Sequence, residues 1–108
     1  MKAIFVQDGA TIDHTPSANV TAGDVVVQGD LVGVAKLDIP AGQLGALAVE
    51  GVFDFVKATG SAVTVGALVY WNATAQQATT TATGNKLLGK CVRAAAAADA
   101  RVRVRLSQ

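Results

Sequence analysis

From Ala3 to Leu106 the chain is written as short β-like runs of four to seven residues, separated by Gly, Asp and Asn. An autonomous helix needs about 12–15 residues, whereas a strand needs only about four to eight. The spacing therefore predicts an all-β chain. Strands are expected over residues 3–7, 11–15, 25–28, 31–36, 46–50, 52–57, 68–72, 78–83, 87–93 and 101–106. The breaks between them carry turn chemistry. Gly9 in "QDGA" and Gly84-Asn85 in "TGNK" sit where hairpins call for positive φ. Pro40 and Gly42 mark another turn, and Gly23, Gly29 and Gly51 fall between apolar runs. The five alanines Ala94–Ala98 are good helix formers but too few to stand alone, so a loop or one helical turn is expected. The fold class is a small β-barrel or sandwich-like domain of short antiparallel strands. At 108 residues the chain is one domain. Residues 1–20 are read as an N-terminal hairpin or arm, and residues 21–108 as the β-rich body.

The last run, Arg101-Val102-Arg103-Val104-Arg105-Leu106, alternates strictly. With a period of two it stands its arginines on one face and its aliphatics on the other. Arg101, Arg103 and Arg105 are thus candidates for a protein interface or for the solvated side of a sheet. Three charges are few for a polyanion binder, and the formal net charge is only +1. An acidic cross-strand neighbour would also make the row tolerable. Tyr70 and Trp71, adjacent on one strand, must point to opposite faces: one fills the core and the other is a candidate interface residue.

Other motifs lead back to ordinary structure. Gly84-Asn85-Lys86-Leu87-Leu88-Gly89-Lys90-Cys91 fits the phosphate-loop pattern until its last position, where Cys91 replaces the hydroxyl that would meet Mg²⁺. It has no strand before it of the required kind and no room after it for a nucleotide-binding sheet. His14 is the single histidine and gathers no triad or metal set, and Cys91 is the single cysteine and reads as a small core residue. The scattered acids single out no pair. The Asn19 and Asn72 glycosylation tripeptides read as coincidental, because "MKAIFVQDGA" is too short in apolar residues for a secretory signal. No run approaches the ~18 apolar residues of a membrane span. No catalytic, metal or cofactor residue is assigned, and synthesis in a cytoplasm is expected. The 51% hydrophobic content is mostly Ala and Val with 5% aromatic, which predicts a core of small pieces and a subunit that gains by burying more surface in an oligomer.

Four phrases in fixed order, "TAGDVVVQGDLVGVA", "LAVEGVFDFVKATGSAV", "GALVYWNATAQQATTTATGNKLLGKCVRAA" and "ADARVRVRL", resemble the phage capsid cement, or head decoration, proteins. The resemblance spans about residues 21–106. It implies a non-enzymatic β subunit, made in the bacterial host of a phage or prophage, that trimerises on the outer surface of an icosahedral head and bridges major capsid subunits. Members have also been labelled RecA/RadA-like recombinases, for which the incomplete loop at Gly84–Cys91 is the sole echo. The other readings are a small nucleic-acid-binding barrel using Arg101, Arg103 and Arg105, and an enzyme that would use ATP at the Gly84–Cys91 turn.

Overall fold

Nine strands follow one another in a computed structural model that describes residues 2–108: β1 (Thr11–His14), β2 (Val25–Gln28), β3 (Leu31–Ala35), β4 (Gly45–Ala48), β5 (Gly51–Val56), β6 (Leu68–Asn72), β7 (Gln77–Thr79), β8 (Lys86–Arg93) and β9 (Arg101–Leu106). No helix forms among the described residues. The strands make two antiparallel sheets, ordered β1-β4-β3-β2 and β5-β9-β8-β6-β7, so the chain completes one before starting the next. Both sheets curl. In the first, His14 and Gln28, on opposite edge strands, meet in a side-chain hydrogen bond. In the second, the edges touch through a parallel bridge between Lys57 and Ala78. Neither closes as a continuous barrel, so the sandwich-like form of the expected all-β fold is the one adopted.

Period-two alternation decides where the core lies. On β2, Val25 and Val27 face the second sheet while Val26 faces the other way; on β3, Val32 and Val34 join the main core and Ala35 the minor one. The main core is completed by Phe55, Val69, Trp71, Leu88, Cys91, Val102, Val104 and Leu106. Phe55 packs tilted against Trp71 with ring centroids 6.0 Å apart. Ile12, Val20, Val26, Ile39 and Leu47 fill the smaller core inside the curl of the first sheet. The C-terminal Gln108 fastens the two sheets: its side-chain amide accepts from Val32 N and donates to Val32 O, copying a strand neighbour.

Several expectations are corrected. Residues 3–7 form no strand; a strand exists only where a partner ladder satisfies its backbone, and none lies beside this segment. Gly9 and Asn85 stay outside the positive-φ region, while Gly84 adopts φ 77°. The Gly84 turn closes no hairpin, because β7 and β8 each pair with β6 rather than with each other. The two-residue hairpin lies at Gly29-Asp30 between β2 and β3, with Gly29 at φ 59°. Among non-glycine residues, Gln76 alone of those described has positive φ, in the β6–β7 loop, where the Asn72 side chain accepts hydrogen bonds from Thr74 N and Ala75 N. The alanine run is a loop with one turn, as expected.

Leu106 lies between two glycines in the cross-strand row Gly51–Leu106–Gly89. A Cβ on Gly89 would collide with the Arg105 carbonyl and come within 2.8 Å of Ser107 N. Both are backbone atoms and cannot swing aside. Gly89→Ala is therefore expected to destabilise the fold by more than about 3 kcal/mol, read as a lower denaturant midpoint at unchanged slope. Near-normal stability of this variant would show that β8 and β9 do not approach so closely.

Candidate interaction surface

The outer face of the five-stranded sheet is built by the same alternation that builds the core. Three cross-strand rows run over β5, β9 and β8: Val52–Arg105–Lys90, Asp54–Arg103–Arg93, and Val56 beside Arg101. The β8 backbone shifts register between Cys91 and Arg93. This bulge leaves both Val92 and Arg93 exposed. Tyr70 is half-buried on β6, next to the exposed Leu68. The arginine row is thus a cationic stripe edged by the aliphatics Val52, Val56, Leu68 and Val92.

Among the described residues, Arg103 is the one of the three arginines that forms an ion pair. Arg103 donates from Nε to Asp54 Oδ1 at 2.9 Å and from its terminal nitrogen to Asp54 Oδ2 at 3.2 Å. This fork geometry fixes the guanidinium plane. The Arg103 hydrogen bond holds the Asp54 carboxyl below the usual carboxylate range; burial opposes it, and the charges of Arg103, Arg93 and Arg101 add to the lowering. Arg103 is correspondingly raised by Asp54. Arg105 stands directly opposite Lys90, and Arg103 opposite Arg93; like charges so placed are unfavourable. Arg93, Arg101 and Arg103 line an open cleft of about 250 Å³ together with two acids, Asp54 and Asp99.

Of the sequence candidates, Arg101, Arg103 and Arg105 share this face, and Tyr70 borders it. Trp71 does not: it is 4% exposed, in the main core. With Trp71 inside, this face lacks the stacking platform that single-strand binders use. The incomplete phosphate loop is dispersed. Lys86, Leu87, Leu88, Gly89, Lys90 and Cys91 are strand β8, and Lys86 pairs with Asp30 at 2.7 Å. No helix N-terminus stands there. His14 is half-buried and Cys91 is buried. Among the described residues no three His, Cys, Asp or Glu side chains gather closely enough to hold a metal.

Two features escaped the sequence reading. The first is Lys57, which is 5% exposed. Its ammonium donates to the carbonyls of Ala58 at 2.8 Å, Asp99 at 3.0 Å and Ala97 at 3.3 Å, tying the alanine loop to the end of β5. The signal was present: Phe53, Phe55 and Lys57 share one strand parity, and that parity points inward. The second is the segment before β1, where Ile4, Phe5 and Val6 are 76%, 80% and 85% exposed. These three consecutive apolar side chains belong to neither core.

A family model described as phage cement protein matches residues 6–106. No curated protein and no solved structure matches the chain.

Two measurements check the surface chemistry. A carboxyl with a depressed folded pKa contributes stability above its unfolded value near ~3.9 and loses it as pH falls through the folded value. The melting temperature should therefore drop below about pH 4, and Asp54→Asn should flatten part of that drop; parallel pH profiles would deny the pair any role. Lys57→Met should cost about 1–3 kcal/mol by stranding loop carbonyls. A neutral result would mean that water serves them equally well.

Proposed function

The chain belongs to the phage cement protein family, and from that premise we propose that it decorates the outer surface of an icosahedral head as a homotrimer, bridging neighbouring major capsid subunits. The observation that carries this reading is the family match across residues 6–106, which takes in every strand of both sheets. A structural role in the phage capsid follows from that membership; trimerisation and bridging are the proposal.

The physics of the molecule supports it. Its accessible surface is 6677 Å², against roughly 5,600 Å² for a typical monomer of this mass. Its Cα radius of gyration is 14.6 Å, against about 13 Å for a compact domain of this length. An elongated body, 44 × 35 × 23 Å, and an exposed apolar segment before β1 are both suited to lying across a junction. Ile4, Phe5 and Val6 are assigned as the anchor that enters the capsid surface. Burying side chains of this size contributes about 1.5–3 kcal/mol each before the cost of ordering the arm. One such contact is weak. Three on a trimer become tight through effective concentration, since the second and third are intramolecular after the first.

Mature heads stripped of decoration are the test substrate. Purified protein should bind them stoichiometrically and raise their resistance to heat. A form lacking residues 2–8 should keep the fold and its solution mass but bind heads at least about tenfold more weakly. Absence of binding by the intact protein to heads of its own phage defeats the reading.

A further inference from the structure

Charge in this molecule is divided between the two sheets. Residues 1–50, which hold β1–β4, carry two of the nine Lys and Arg and six of the eight Asp and Glu, a formal −4. Residues 51–108, which hold β5–β9, carry the other seven cations and two acids, a formal +5. The net charge of +1 is therefore the residue of two opposed halves in a body 44 Å long. Within the basic half, Lys57 is buried on carbonyls and Lys86 is bonded to Asp30. The exposed surplus is concentrated on the outer sheet face at Lys90, Arg93, Arg101 and Arg105.

We propose that this basic face is the docking surface for the acidic half of a second copy of the same chain, joined head to tail. The inference rests on the reading of the protein as an oligomeric cement subunit and names the seam. Like charges face each other across strands at Arg105–Lys90 and Arg103–Arg93. Asp54 already offsets the second of these pairs through its bond to Arg103; the first is unfavourable in a lone subunit and is relieved when carboxylates arrive. The complementary surface is on the chain itself. The four-stranded sheet presents exposed Asp13 on edge strand β1, opposite Ala46. Ala46 lines an open groove of about 350 Å³ shared with Asp38, Leu37, Pro40 and Leu44. Lys36 and Asp38 are the one cation and the one acid lining the groove, so the neighbouring Asp13 gives this patch its negative sign. Leu37 and Leu44 are 76% and 70% exposed, and they match in kind the aliphatics Val52, Val56 and Val92 that edge the basic stripe. Aliphatic meets aliphatic while carboxylate meets guanidinium, so the contact combines apolar burial with sign complementarity. The two patches are unlike each other, which makes the contact heterologous; repeated with a closing rotation it yields a ring.

The test separates this seam from head attachment. Arg101→Glu with Arg105→Glu reverses the stripe, and the new residue at position 105 faces Lys90, which favours the fold. Asp13→Lys with Asp38→Lys reverses the other patch. Mass in solution is read by sedimentation velocity, with folding checked by thermal melting and head binding measured alongside. Wild-type association should weaken at least about tenfold between roughly 50 mM and 500 mM salt, as screening shortens. Each double variant alone should be monomeric, and an equimolar mixture should associate as alternating pairs that cannot close a ring of three. Wild-type mass in the Arg101/Arg105 variant, a monomeric wild type at low salt, or no association in the mixture would each overturn the seam. Head binding by wild-type protein in the same experiments leaves the cement reading standing whichever way the seam falls, and its absence overturns that reading whatever the mass.

Discussion

Strand β9 is the constraint on which both faces of the five-stranded sheet depend. It is flanked by β5 and β8, so its register is pinned on two sides, and it alternates arginine with aliphatics over its whole length. A slip of one residue would drive Arg101, Arg103 and Arg105 into the core and expel Val102, Val104 and Leu106. Burying unpaired guanidinium groups is prohibitive beside any gain from altered pairing. Gly89 beside Leu106 narrows the choice further, because only a residue without a Cβ lets the β8 backbone come so close to β9. One hexapeptide thereby fixes the positions of Phe53, Phe55 and Cys91 inside and of Asp54, Lys90 and Arg93 outside.

What the sequence disclosed follows from which structures are governed by local pattern. β2, β6 and β9 fall on the expected residues because β2 and β6 are short apolar runs bounded by turn signals and β9 alternates strictly. Residues 3–7 have the same apolar character but no ladder partner, and strand formation depends on that partner and not on composition. The Gly84 turn looked like a hairpin because spacing cannot distinguish a chain that reverses beside its neighbour from one that crosses it. The order β5-β9-β8-β6-β7 is settled by long-range packing, in which Trp71, Phe55 and Val102 find one another from distant parts of the chain. The arginine face was legible in its periodicity. The Asp54 partner was not, since cross-strand register lies outside any local window. Lys57 could have been found by counting alternate residues from Phe53.

The composition explains why this fold leaves so much to its surfaces. Cores of Val, Ala and Leu bury little area per residue, and aromatics supply only five of 108 residues. With 6677 Å² still accessible, the fold sequesters somewhat less than the roughly 65% of unfolded surface typical of this length, which leaves a modest margin against chain entropy. Contacts with other chains can extend that margin without enlarging the core. Exposed apolar residues before β1, together with a charged outer face, stand on the surface of a framework whose core is already filled.

The two kinds of surface would serve a shell-clamping protein differently. Electrostatic seams act over a Debye length of about 8 Å at physiological salt. They orient subunits before contact and remain reversible enough for misplaced copies to leave. Apolar anchors act at van der Waals range and gain most of their strength when several engage together. On the proposed arrangement the opposed charges of the two sheets assemble the ring, and the Ile4-Phe5-Val6 segments fix it to the head. Dividing the tasks in this way lets assembly be corrected before attachment becomes tight. It also accounts for a chain whose net charge is almost zero while its two halves are strongly and oppositely charged.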